Sequence, residues 1–461
     1  MRYNRSFQKS LPCNCNINYM QIVQQVLFLA ITILAVLLFI KNVKNIRRNI
    51  LLGRKVDLSD NKSERWKKVL LLALGQKKMF TYPLVAVLHL MIYAGFIIIN
   101  LEILEIILDG IFGTHRMFAA PLGSVYAALI NSFELLAFLV LTACVVFLIR
   151  RNVIKIDRLN RRELDGFPRT DANLILITEI ILMTLFLIMN ATDGALQQHY
   201  GNNNQTGSFF VSGLIAKIFS GMNTSTLAGI EKTCWWLHII GVFAFLNYLP
   251  YSKHLHIILG FPNTYYSNIK PMGKFTNMNE IQNEVLYAMQ PELAPAGEAA
   301  PGKFGAKDIA DLTWKNLMDA YSCTECGRCT AACPANITGK KLNPRKIMMD
   351  TRDRMEEIGR NIDKNSSQFV DDGKTLLHSY ITEEELRACT TCQACVEECP
   401  VSISPLDIIV QLRRHLIMEE SNAPQEWNTM FSNVENNFAP WKFSPDDRDR
   451  WAEELKETPT I

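Results

Sequence analysis

Five apolar stretches in the first half of the chain set the narrowest limit on what it can fold into. They run approximately Ile22–Ile40, Tyr82–Leu108, Leu122–Ile149, Leu174–Asn190 and Thr233–Tyr251. A helix needs about 20 mostly apolar residues to cross a hydrocarbon core of about 30 Å, so each stretch is read as one crossing. Buried helices of a soluble domain are the competing reading, but segments so long and so poor in charge are rare there. A signal peptide is the alternative reading of the first stretch; against it, the stretch lacks a small-residue cleavage site and runs directly into KNVKNIRRN, which reads as a stop-transfer flank. Residues 1–19, with Cys13 and Cys15, read as an unstructured extension, and either Met1 or Met20 is the start.

The averages over 461 residues, 49% hydrophobic with a net charge of +3, conceal a division between this apolar part and a charged, cysteine-bearing remainder. Loop charge gives an orientation. Lys41–Lys78 carries twelve basic residues and Arg150–Arg169 seven, whereas Asp109–Pro121 has only Arg116 and Asp193–Lys232 only Lys217 and Lys232. By the excess of Lys and Arg in cytoplasmic loops, the N-terminus lies outside and the C-terminus inside. The remaining cysteines then sit in a reducing compartment.

Eight of the twelve cysteines form two matching runs, CTECGRCTAACP from Cys323 and CTTCQACVEECP from Cys389. The pattern C-x2-C-x2-C-x3-C-P holds cubane iron-sulfur clusters, and the fourth cysteine of each run ligates the other run's cluster. Crossed ligation assigns Cys323, Cys326, Cys329 and Cys399 to one [4Fe-4S] cluster, and Cys389, Cys392, Cys395 and Cys333 to the second. Zinc also binds paired C-x2-C units, but it requires neither the third close cysteine nor the Cys-Pro. Cys144 and Cys234, within the apolar stretches, read as small apolar side chains.

From Phe261 to Gly305 the chain loses its apolar periodicity and reads as a linker, as in PELAPAGEAAPGKFG. Helix signals follow at Asp311–Tyr321 and Pro344–Ile362. A capping box of Thr382 and Glu385 opens Thr382–Ala388, and Ser404 with Pro405 opens a helix to Glu420. The gap from Cys333 to Cys389 is too long for a compact βαβ ferredoxin. The predicted fold is therefore all-α: a five-helix transmembrane bundle (20–260) after the extension, a linker (261–305), an α-helical dicluster ferredoxin domain (306–420) and a tail (421–461).

Ionisable side chains in a bilayer are costly and call for an account. His238 and His256 are 18 residues apart, so one continuous helix would place them on a shared face about 27 Å apart, with His254 facing nearly the other way. Pro250 between them is a kink site. Neutral imidazole is a common iron ligand, and His89, about 10 Å into the second stretch, is the natural partner for His256. Read singly, each histidine is equally an interface residue. Glu134 and Glu179, deep in the third and fourth stretches, are candidates for a proton path or a quinone contact. Glu102, Glu105 and Asp109 suit interface solvation or helix-helix hydrogen bonds. The amides of Asn202–Gln205 suggest no chemistry.

WWLHIIGVFAFLNYLPYSKHLHI resembles the fifth helix of the dihaem cytochrome b (gamma) subunit of respiratory nitrate reductase, and the five-helix topology is similar. The resemblance implies haem b with axial ligands among His89, His238 and His256. Where that family has its second histidine on the second helix, this chain has Ile99. Either the outer haem is absent, or His238 takes another partner such as His115. The cysteine half resembles the helical two-cluster domain shared by heterodisulfide reductase and the small iron-sulfur subunit of anaerobic glycerol-3-phosphate dehydrogenase. The fusion is similar to electron-transfer-flavoprotein:quinone oxidoreductases. Such systems usually carry adjacent Cys-Cys-Gly residues; none occurs here, so the resemblance implies that this module sits on a cytoplasmic partner. No G-x-G-x-x-G loop follows a strand either, so flavin or nicotinamide chemistry is expected on a partner, and nothing suggests nucleic acid. The expected role is an oxidoreductase subunit carrying electrons between a cytoplasmic partner and quinone. The alternatives are a quinol-driven cytoplasmic reductase and a non-catalytic redox-sensing anchor.

Overall fold

The structure, a computed structural model, describes residues 14–199, 209–295, 303–442 and 444–457. Cys13, the amides of Asn202–Gln205 and residues 296–302 of the expected linker lie outside it. Among the described residues all regular structure is helical, apart from isolated bridges of Arg54 to Thr313 and Leu377 to Ile381.

Five helices are long and apolar enough to cross a membrane: α1 (Asn14–Ile50), α2 (Pro83–Phe112), α3 (Ser124–Asn152), α4 (Phe167–His199) and α5 (Thr224–Tyr248). Each contains or largely overlaps one expected stretch. Their shared interior holds Ile130, Phe133, Ala137, Phe186 and Ile239, while Leu34, Leu37, Leu84 and Leu101 stay exposed on the outer faces. A helix apolar all round is what a lipid surface requires. At the α4–α5 crossing a Cβ on Gly241 would stand 2.7 Å from Leu182 Cδ2, so glycine permits the close approach.

α1 departs from expectation at both ends. Asn14–Tyr19 is helical rather than unstructured, and KNVKNIRRN continues the helix to Ile50. No proline or glycine occurs between Pro12 and Gly53 to stop it. At 37 residues, α1 is about 55 Å long, well beyond one hydrocarbon thickness. The surplus enters the cysteine-bearing half. Asn49 Nδ2 donates to Tyr321 Oη at 3.0 Å, Arg48 pairs with Asp363, and Ile46 and Ile50 join the buried cluster of Leu317, Ile347, Ile408 and Leu412.

The expected continuous helix from His238 to His256 is broken. α5 ends at Tyr248, a 3-10 turn spans Leu249–Tyr251, Ser252 is extended, and a second 3-10 turn leads into α6 (His256–Tyr265). Pro250 withholds an N–H, and buried Asp171 of α4 takes the local donors: Tyr248 Oη at 2.6 Å, Ser252 Oγ at 2.7 Å and Lys253 N at 3.1 Å. Part of the expected linker is also helical, since α6 reaches Tyr265 and a further helix spans Asn279–Met289.

The cysteine half is built on α7 (Trp314–Ser322), α8 (Pro344–Lys364) and α9 (Pro405–Met418). Their starts follow local chemistry. Thr313 and Asn316 form a capping box, Asn343 accepts from Arg345 N and Lys346 N, and Ser404 accepts from Asp407 N with Pro405 at the first helical position. The Thr382–Glu385 capping box opens a short helix, Glu383–Arg387, as the sequence predicts.

Candidate redox centres and the cavity between them

Both cysteine runs fold into the same loop. The second residue after the first cysteine is left-handed in each (Glu325, φ 54°; Thr391, φ 58°), and so is the fourth (Gly327, φ 73°; Gln393, φ 63°). These two turns curl the thiols around one centre. At Gly327 the requirement is doubled, because a Cβ there would meet Arg345 Nη1 at 2.5 Å and Arg158 O at 3.0 Å. Cys323, Cys326, Cys329 and Cys399 line a common small void, which also touches Cys395. The electrostatic neighbours repeat the crossing: Cys399 feels Cys326 and Cys323, while Cys389 and Cys395 feel Cys333 and Cys392. Among the described residues no three His, Cys, Asp or Glu groups are arranged to hold a single ion, and sulfurs set around a void suit a cube instead.

Burial pushes Cys323 up to about 11 and Cys395 and Cys399 up to about 12, and neighbouring thiols add to the shift. Four thiolates held this close call for compensating positive charge, which iron brings. Amide hydrogen bonds to sulfur come from Thr391 N to Cys389 (3.4 Å) and Ile403 N to Cys399 (3.3 Å), contacts of the kind that tune cluster potentials. Cys326 of the first group lines a larger cavity, whereas in the second group Cys333 is buried and Cys392 exposed, so the first group faces inward and the second reaches solvent at Cys392.

The inward group abuts a cavity of about 480 Å³. Thr324, Glu325, Cys326 and Arg328 bound one part of it, and α2 to α6, together with the segments 72–79, 158–159, 253–254 and 400–401, supply the rest, including His89, His238, His254 and His256. His254 therefore does not face away: the 3-10 turn before α6 brings its ring to 5.5 Å from that of His256. Three rings are held through Nδ1, His238 by Leu182 O (3.0 Å), His256 by Lys253 O (3.0 Å) and His89 by Gln76 Oε1 (3.1 Å). A carbonyl only accepts, so at His238 and His256 Nδ1 carries the proton and Nε2 keeps its lone pair. That is the tautomer of a metal-ligating histidine oriented by an oxygen. His238 is buried and its Nε2 has no partner. Burial holds the His254 and His256 imidazoles below the usual range. The donor set fits haem iron.

Other expected residues separate. Glu179 lines the cavity, whereas Glu134 does not; it is fully buried and accepts from Val211 N (3.3 Å) and Ser212 N (3.4 Å). Glu105 accepts from Tyr126 Oη and Phe118 N, both at 2.8 Å, and Asp109 accepts from Arg116 N and Met117 N. Both brace the 113–118 turn, and Glu105 also ties α2 to α3 through Tyr126. Glu102 is buried with Oε2 unpartnered. His115 pairs with Asp193 at 3.4 Å and does not line the cavity, so it is not brought to His238. Ile99 does line it.

Sequence reasoning missed the polar frame around the cavity. Glu325 is buried between Lys253 and Arg352, with Arg352 Nη2 at 2.6 Å. Arg158 Nη1 donates to Cys326 O at 2.9 Å, and Arg328 Nη1 to Lys78 O at 3.0 Å. The Arg150-Arg151 flank and the CGRC tetrapeptide were the available signals, but neither says where a guanidinium ends up.

Residues 322–403, spanning all eight run cysteines, match the 4Fe-4S dicluster domain family. The chain is 29% identical over 470 residues to the probable iron-sulfur-binding oxidoreductase FadF of Bacillus subtilis, covering 95% of this chain and 62% of that protein. It is 26% identical over 401 residues to the EtfAB:quinone oxidoreductase of Syntrophomonas wolfei, covering 82% and 52%. It is 31% identical over 121 residues to one subunit of the ferredoxin/F(420)H(2)-dependent CoB-CoM heterodisulfide reductase of Methanosarcina acetivorans, covering 26% and 60%. No solved structure matches the chain. This protein thus spans less than two thirds of the length of each of these relatives, and it joins a 4Fe-4S dicluster domain to five membrane-type helices.

Proposed function

We propose that this protein carries electrons between a cytoplasmic redox partner and membrane quinone, by way of two [4Fe-4S] clusters and haem b. One observation carries the reading: a single cavity runs from the Cys323–Cys329 loop to His89, His256 and His238 among the membrane helices. Haem and clusters, when bound, supply one-electron exchange. The chain's own residues hold and order them. Cys389, Cys392, Cys395 and Cys333 form the outward centre that meets the partner, and Cys323, Cys326, Cys329 and Cys399 form the inward one. His89 and His256 offer iron ligands from α2 and the start of α6. His115, the other candidate partner for His238, lies off the cavity on Asp193, and Ile99 lines it, so one haem is proposed. Glu179 is the cavity's membrane-depth carboxyl and the candidate to pass protons that accompany quinone chemistry.

The names of two relatives support the ends of this route: one is a quinone oxidoreductase, and another is a subunit of a heterodisulfide reductase. The basic loops between α1 and α2 and between α3 and α4 support a cytoplasmic cysteine domain. Within these 461 residues there is neither an adjacent cysteine pair nor a nucleotide loop, so the partner's reaction is assigned elsewhere.

The test is anaerobic spectroscopy on the full chain in detergent. The reduced-minus-oxidised spectrum should carry a b-type band that His256→Ala abolishes, and cluster iron should be about eight per chain in both proteins. A wild type with no b-type band removes the haem route. Iron near four removes one cluster.

A further inference from the structure

We infer that Arg151 and Arg328 bind the two carboxylates of the porphyrin at the end of the cavity next to the cysteine loop, an inference that rests on the haem reading. Both side chains line the cavity, and both residues are more than nine-tenths buried, at 9% and 5% exposure. Both keep guanidinium nitrogens without a partner: Nε and Nη2 of Arg151, and Nη2 of Arg328. A guanidinium is always charged, and a buried one without an anion is strongly disfavoured.

The surrounding charges do not satisfy them. Lys253 and Arg158 also line this end, but Lys253 is held by Glu325 and by Pro168 O at 2.6 Å, and Arg158 by Cys326 O. Glu325 and Asp171 are the carboxylates that act on Arg151, but Glu325 is taken by Lys253 and Arg352, and Asp171 by Tyr248 Oη, Ser252 Oγ and Lys253 N. Arg328 has Lys78 O on Nη1 and the Tyr82 ring 4.7 Å from its Cζ, which leaves Nη2 free. Two arginines with unpartnered guanidinium nitrogens therefore remain in a cavity also lined by the candidate iron-ligand histidines, and a porphyrin with two propionates supplies two anions. A planar guanidinium suits a carboxylate in this position.

The placement ties the cofactor to both halves of the molecule. Arg151 is the penultimate residue of α3, and Arg328 lies between Cys326 and Cys329. A carboxylate on Arg328 lies one side chain away from the inward cysteine loop, so this edge of the porphyrin faces the clusters.

The experiment uses the full chain produced without haem, with clusters intact, titrated in detergent with protohaemin or its dimethyl ester and followed by absorbance. Wild type should bind the free acid roughly tenfold to a hundredfold more tightly than the ester, the worth of hydrogen bonds to a charged group. Arg151→Gln and Arg328→Gln should each reduce that preference. Iron counting checks that Arg328→Gln keeps its clusters, and Arg151→Gln, remote in sequence from both cysteine runs, provides an independent variant. If wild type binds acid and ester equally, the inference is overturned while the haem reading stands; a lipid phosphate on the two arginines would give that result. If wild type binds neither, the haem reading itself fails.

Discussion

Replacing Glu325 with Gln tests what holds the inward cysteine loop against the membrane helices. The carboxylate is 2% exposed, and it bridges Lys253 (10%) on the turn before α6 and Arg352 (16%) on α8. Removing its charge leaves two buried cations facing each other, and breaking a buried pair in this way costs about 3–5 kcal/mol. Residual partners place the expectation at the lower end, about 3 kcal/mol: Lys253 keeps Pro168 O at 2.6 Å and Asp171 at 3.9 Å, and Arg352 keeps Asp353 at 3.7 Å. Acid should imitate the substitution. Burial alone would raise the Glu325 carboxyl, but Arg352 and Lys253 outweigh it and hold it below the usual range. Its stabilisation is therefore present above the unfolded value, near about 4.3, and is lost as pH falls through the lower folded value. Amide hydrogen exchange over residues 323–333, read by mass spectrometry, reports the local opening energy. Glu325→Gln should open this segment at neutral pH and lessen its acid dependence. Protection within about 1 kcal/mol of wild type would refute the argument, because such a loss is what an exposed pair gives.

Two further predictions concern the frame. Gly327→Ala forces a left-handed alanine, costing about 1–2 kcal/mol, and drives a Cβ to 2.5 Å from the buried Arg345. Cluster iron should fall from about eight towards about four, while Gln393→Gly, at the matching left-handed position, should keep both clusters; full iron in Gly327→Ala would contradict this. Ile50→Asp places a charge in the core shared by α1 and the cysteine half, and it should expose that half to limited proteolysis. Inserting four Gly-Ser residues after exposed Gln290 should not, and equal protease resistance of wild type and Ile50→Asp would count against the shared core.

The features legible in the sequence were those carried by neighbours along the chain. The C-x2-C-x2-C-x3-C-P runs, the Thr382–Glu385 capping box and the Ser404-Pro405 start each depend on residues within a turn or two, and the same spacing reappears in three dimensions. Helix length in the membrane was legible because lipid demands apolar residues throughout. What lay hidden depends on distant partners. The break after Tyr248 comes from Pro250 together with Asp171, whose contacts span 77 to 82 residues of sequence. Glu134 and Glu179 looked alike as membrane carboxylates, and only packing gives one to the amides of Val211 and Ser212 and the other to the cavity. Arg151 read as part of a positive flank, because a sequence places charge near an interface without saying whether the side chain turns outward or back into the bundle.

The two halves are not joined merely by the connection at 266–305. Ile46, Ile50 and Leu255 from the membrane side share one buried cluster with Leu317, Ile347 and Leu412. Around it, Lys315 reaches both Asp319 and Asn263, and Asn263 donates to Val401 O at 3.0 Å beside the Cys-Pro of the second run. Arg345 closes the other side on Glu163 and Arg158 O. Each tie links a residue near a cysteine run to a turn or helix end of the bundle. A flexible tether would let the Cys323–Cys329 loop wander relative to the histidines. A continuous core with buried polar ties fixes that separation, so the membrane helices and the cysteine domain are expected to open together rather than one after the other.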